Sequence, residues 1–155
     1  MVAAFFLGGL ARKAKLNPHA ELDPDLAVAI ETAKRSLPQF IEKLRNPPPD
    51  ASAFAIKVAF VESGRAEMMW VDHLTYGVGA FVGTLADSPF RIKKLHRGDR
   101  VRAVAADVVD WEIFYHTPDG DLHEGAETDR VLRRRQAGRT LRYPPRMSSS
   151  GVRNA

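Results

Sequence analysis

Phe54-Ala55-Ile56-Lys57-Val58-Ala59-Phe60 has a period of two, with large apolar side chains at 54, 56, 58 and 60 and Ala55, Lys57 and Ala59 between them. Alternation of this kind marks a strand with one face turned to a core. Ser63-Gly64 then turns the chain, and residues 66–74 read as a second strand through Met68, Trp70 and Val71. After Gly77-Val78-Gly79, Phe81, Gly83 and Leu85 mark a third strand, which Asp87-Ser88-Pro89 ends. Residues 90–95 fit a helical turn and an irregular strand equally well. Gly98-Asp99 leads into a fourth strand at 100–105, and Val109, Trp111, Ile113 and Tyr115 alternate in a fifth. Pro118-Asp119-Gly120 is a hairpin-type turn, and residues 128–133 read as a last helical turn or strand. Short Gly-containing connections favour antiparallel pairing.

Upstream of the first strand the spacing is helical. Asp23-Pro24 places an N-cap before a proline at the first helical position, and Leu26, Ile30, Ala33 and Leu37 follow on one face. Pro38 interrupts that pattern, and Ser36 could cap a second helix bearing Phe40, Ile41 and Leu44. A kinked helix or two consecutive helices is therefore expected over 24–46, ended by Pro47, Pro48 and Pro49. The fold class is α+β. An N-terminal kinked helix packs on a curved antiparallel sheet of about five strands, which could close toward a barrel. The expected core is Ile56, Val58, Phe60, Trp70, Phe81, Leu85, Val101, Val109, Trp111 and Ile113, covered by Leu37, Phe40, Ile41 and Leu44.

The 155 residues make about one domain. Residues 133–155 hold seven Arg and no acid, whereas the other 132 residues hold 16 Lys and Arg against 19 Asp and Glu. The net charge of +4 thus belongs to a tail and not to the body. With little apolar bulk, residues 133–155 are expected to be disordered. Residues 1–21 are read as a flexible N-terminus, leaving a single domain at 22–132. The longest apolar run, at 2–11, falls short of the ~20 residues a membrane span needs, so no membrane association is expected. Cys is absent, which removes disulfides, thiolate catalysis and Cys-based metal sites, and fits a cytoplasmic setting.

The order and spacing of several segments resemble a known family. They are Leu37-Pro38-Gln39-Phe40, the strand at 54–60, Glu67-Met68-Met69-Trp70, Phe81-Val82-Gly83-Thr84-Leu85, Pro89, Leu95 with Gly98-Asp99-Arg100-Val101, and Asp107-Val108-Val109-Asp110-Trp111. Together they are similar to the bacterial domain-of-unknown-function family 2314, the YegJ-like proteins, over about residues 30–132. The Arg-rich tail lies outside that family's usual extent. The resemblance implies fold boundaries and no activity.

Trp70 and Trp111 could stack a ligand but read first as core anchors. Asp107 and Asp110 could be paired carboxylates, and acids at such positions more often cap turns. His116, Asp119, Asp121, His123 and Glu124 lie across one hairpin and could gather a divalent metal, against the reading of a polar exposed turn. Arg91, Lys93, Lys94, Arg97, Arg100 and Arg102 form the densest basic stretch of the body and, with Asp110 and Trp111, are the candidate binding residues. No Phe, Tyr or Trp lies between Arg91 and Arg102 to stack a base. Neither a Gly-x-Ser-x-Gly turn nor a Gly-x-Gly-x-x-Gly loop is present, so no cofactor is expected and an enzyme is disfavoured. The biochemical function stays unknown at this level. The expectation is a non-catalytic protein-interaction module of regulatory or immunity type, with an unidentified protein partner. The alternatives are nucleic-acid binding through 91–102, with weak binding by the tail, and a metal-dependent enzyme using Asp107, Asp110, His116 and His123.

Overall fold

A computed structural model describes residues 23–142. The expectations for residues 1–21 and for the tail beyond 142 lie outside the described residues. Helix α1 (Pro24–Arg45) starts where the sequence placed it, with the Asp23 carboxylate accepting from Asp25 N–H at 2.9 Å and Pro24 in the first turn. It runs as one helix through Pro38. Its inner stripe, Ala29, Ala33, Leu37 and Phe40, is buried.

Six strands follow: β1 (Ala51–Glu62), β2 (Arg65–Gly77), β3 (Ala80–Leu85), β4 (Arg100–Val104), β5 (Val108–Thr117) and β6 (Gly120–Gly125). All neighbours pair antiparallel in the order β4-β3-β2-β1-β5-β6, so the sheet stays open and does not close into a barrel. The sixth strand is one more than the sequence period revealed. It follows the turn at 118–119 and pairs Tyr115 with Leu122 and Phe114 with His123. Residues 90–95, undecided from periodicity, belong to the β3–β4 connection at 86–99 and are neither helix nor strand.

The core lies between α1 and one face of the sheet. Ile56, Val58, Met69, Val71, Phe81, Leu85, Val101, Trp111 and Ile113 are all buried there, and the connection adds Ile92. The Phe40 ring sits 5.3 Å from that of Trp111 and 5.9 Å from that of Phe54. Trp111 donates from Nε1 to the Ala33 carbonyl at 3.1 Å and to Ser36 Oγ at 3.0 Å, so helix and sheet are bonded as well as packed. Two expected core members differ. Phe60 is only partly buried. Trp70 lies on the opposite face, because Met69 and Val71 are the inward positions of β2 and a strand reverses its side chains at every residue.

Gly125 carries the chain from β6 into helix α2 (Glu127–Arg142). Its φ is +84°, and a Cβ there would stand 2.1 Å from the Trp111 carbonyl oxygen. Both facts require glycine at the position. Helix α2 runs through residue 132, the expected domain limit, and covers ten residues that composition had assigned to a disordered tail. Arg is a strong helix former, and this helix is fastened at its first turn, where Ala126, Thr128 and Val131 are buried. Farther along, Arg135 pairs with the Asp23 carboxylate at the start of α1.

Candidate functional site

The second face of the sheet carries an unusual feature for a surface that packs under no second layer of strands. Residues 55–58 of β1 are buried one after another, so both faces of this central strand are covered. On the core side the cover is α1. On the other side Lys57 reaches the first turn of α2, a helix that also packs along α1, and the ring of Trp70. Lys57 is the charged residue enclosed there, at 5% exposure. Its Nζ donates to Thr128 Oγ1 at 3.0 Å, pairs with the Asp129 carboxylate, and lies 4.6 Å from the centroid of the Trp70 ring.

Asp110, opposite Lys57 on β5, is wholly buried. Its Oδ1 accepts from the N–H groups of Trp111 at 2.9 Å and Glu127 at 3.2 Å. Its Oδ2 accepts from Thr128 N–H at 2.7 Å and Thr128 Oγ1 at 2.6 Å. The first N–H groups of a helix have no partners within the helix, and a carboxylate is favoured at that positive end. Asp110 therefore caps α2 from a neighbouring strand. Thr128 connects the two charges, since its hydroxyl gives its proton to Asp110 and accepts one from Lys57.

Beyond this cluster the same face continues to the β5–β6 hairpin. Glu112 Oε2 bonds His123 Nε2 at 2.9 Å, and burial pushes the Glu112 carboxyl above the ordinary carboxylate range, with the His123 bond opposing it. The His123 ring stacks on Phe114 with centroids 4.5 Å apart and planes within 4°. On the core side of the hairpin, Glu124 bonds Lys43 Nζ at 2.7 Å and accepts from Tyr115 Oη at 2.5 Å. Burial opposes ionisation of Glu124, but the Lys43 and Tyr115 bonds together outweigh it and hold its pKa below the usual value. Two shallow, open depressions lie along this hairpin. One is lined by Tyr115, Leu122, His123 and Glu124, the other by residues that include Ala53, Phe114 and Asp121.

The basic stretch lies elsewhere, at the other end of the sheet. The 86–99 connection is tied to the β1–β2 hairpin through its backbone: Glu67 accepts from N–H of Phe90, Arg91 and Ile92 at 2.8–3.1 Å, and Glu62 from those of Lys93 and Lys94 at 2.8 and 3.2 Å. Those bonds, led by that of Phe90, hold the Glu67 carboxyl below its ordinary pKa. Arg91, Lys93, Lys94 and Arg97 are exposed, Lys93 with its Nζ donating to the Phe90 carbonyl at 2.8 Å, and Arg100 and Arg102 are exposed on β4. Glu62, Glu67, Asp87 and Asp99 stand among them, so the stretch is less positive than its own sequence. Phe90, one residue before it, is 77% exposed.

The four residues of the enzyme alternative do not meet. Asp107 is exposed in the 3-10 turn before β5, and Asp110 is interior. His116 bonds Asp121 at 2.6 Å at the far end of β5, and His123 bonds Glu112. Nine residue steps of mostly extended chain separate Asp107 from His116, a span of roughly 30 Å. Among the described residues no three His, Asp or Glu side chains could hold a metal ion. Asp110 and Trp111, named with the binding residues, are buried and bond within the interior. Sequence reasoning missed Lys57, Glu112, Thr128 and Asp129. The available signal was a lone Lys at the centre of an otherwise apolar strand, and acids with Thr just after a Gly.

No solved structure matches this chain. "Uncharacterized protein YegJ" of Escherichia coli (strain K12) is 30% identical over 104 residues, which is 67% of this chain and 65% of that protein. The chain thus spans just under two thirds of the length of that relative. A family described as "Uncharacterized protein conserved in bacteria", domain of unknown function 2314, matches residues 23–141, taking in both helices and every strand. That match covers most of the chain and reaches past the limit expected at 132. The chain belongs to this family of uncharacterized bacterial proteins, DUF2314.

Proposed function

We propose that this protein is a small non-catalytic module that binds another protein, acting in the cytoplasm as a regulatory or immunity-type partner. The observation that supports it is how the polar groups of the second sheet face are used. Lys57 is taken by Asp129 and Thr128, Asp110 by the start of α2, His123 by Glu112, and His116 by Asp121. Catalysis needs groups aimed at a common reacting atom within hydrogen-bond reach. Here the groups are aimed at each other and fix a surface. The β5–β6 hairpin carries Phe114 on that face, at 41% exposure, and Leu122 on its core-side face, at 60%, with charged side chains around them. Apolar side chains inside a polar rim are the usual anatomy of a protein interface.

The test is affinity capture by the full chain from bacterial lysate, repeated with Phe114→Asp. A stoichiometric protein recovered by the parent and lost by the variant, at unchanged melting temperature, is the expected result. Recovery of nucleic acid instead, or of the same partner by both chains, would count against the reading.

A further inference from the structure

We infer that the outer edge of β6 is a strand-addition site for an extended, basic segment of a partner protein. The inference rests on the interaction-module reading and names where and how the partner docks. It starts from the ladder. His116 N–H bonds the Asp50 carbonyl on the β1 side, so alternate residues of β5 turn toward β1 and the others, including Tyr115 and Thr117, toward β6. Their partners Leu122 and Gly120 therefore bond inward, while Asp121 and His123 direct their N–H and C=O groups away from the sheet. β6 ends the strand order, and among the described residues no strand pairs with that side.

Such an edge is a template for a further strand, and natural edges are often blocked by charge or by a bulge. β4, at the opposite end of the sheet, carries Arg100 and Arg102. β6 carries the other sign: Asp119, Asp121, Glu112 and Glu124 lie on or beside the hairpin, and among the described residues Lys43 is the one Lys or Arg bonded to them, while His116 bonds Asp121 and His123 bonds Glu112. A strand laid along β6 would place alternate side chains on the two faces. On the core side one would enter the depression between Tyr115, Leu122 and Glu124. On the other side its neighbours would be Asp121, Glu112 and the Phe114–His123 stack. The matching partner is an extended segment with an apolar residue opposite Leu122 and Lys or Arg at the flanking alternate positions.

The test is selection of short random linear peptides on the full chain, followed by titration of the selected peptides and amide shift mapping. The expected peptides have Lys or Arg at alternate positions and shift the amides of residues 120–125. Asp121→Lys, which leaves the backbone intact, and His123→Pro, which removes one outward N–H, should each weaken them by about tenfold or more. Arg102→Ala on β4 should leave them unaffected. Peptides that keep their affinity for both β6 variants, or map to the 86–99 connection, would overturn the inference. So would self-association that Asp121→Lys abolishes, since it would give the edge to a second copy. If no peptide is selected while lysate capture still yields a partner, this inference fails and the interaction reading stands.

Discussion

Asp110 and Lys57 are both enclosed charges, yet their removal leaves different things behind. Asp110→Ala strands the N–H groups of Trp111, Glu127 and Thr128 in the interior without an acceptor. Orphaned buried donors are costly, so the variant should lose about 3 kcal/mol or more in urea unfolding. Lys57→Met removes a buried cation whose partner Asp129 keeps one third of its side chain in solvent. Asp129 can take water in its place, and the apolar stem is replaced by one of like length. That variant should lie within about 1 kcal/mol of the parent. A large loss there would mean that Lys57 organises the whole cluster. The pair was half legible: Asp110 was read as a capping acid, but no sequence signal said that it caps a helix seventeen residues on.

Among the elements, the 86–99 connection owes its shape to carboxylates and not to hydrogen-bonded secondary structure of its own. Glu67 has its pKa lowered from the ordinary 4.5 chiefly by the Phe90 N–H bond. A lowered carboxyl stabilises the fold above its unfolded pKa, and that share is lost as pH falls through the lower folded value. Glu67→Gln should therefore flatten the acid limb of the stability curve below about pH 4.5 and speed amide exchange at residues 90–92. Exchange unchanged at those amides would show that Ile92 packing alone holds the loop. Glu112, raised by burial, works in the opposite sense: its burial disfavours the ionised fold, and that penalty fades as pH falls through its raised folded value. Legibility at this scale followed periodicity. β1, β3, β4 and β5 alternate plainly and were placed within a few residues. β6 has one large apolar side chain, Leu122, and pairs on one side only, so the period had nothing to register. α2 is polar all round, and what orders its start, the Asp110 cap and the burial of Ala126, Thr128 and Val131, belongs to tertiary structure.

For the whole molecule, the boundary of the domain becomes a quantitative matter. A chain ending at residue 126 deprives both Asp110 and Lys57 of partners and should be destabilised by at least about 4 kcal/mol. One ending at 132 keeps Thr128, Asp129 and Val131 and loses the partly exposed Arg135–Asp23 pair, at a cost of about 1 kcal/mol. Thermal melts of the two would separate these outcomes, and equal melting would deny α2 its part in the fold. The distance in sequence between Asp110 and Thr128, 18 positions, also bears on time. A short polar helix is marginal alone, and this one receives its cap only once β5 is in place. It should then form after the rate-limiting step of folding. Thr128→Ala is expected to quicken unfolding and leave refolding nearly unchanged, with a φ-value below about 0.3 in a chevron series. Read this way, the C-terminal helix is a latch: it lengthens the lifetime of the native state without hastening arrival at it.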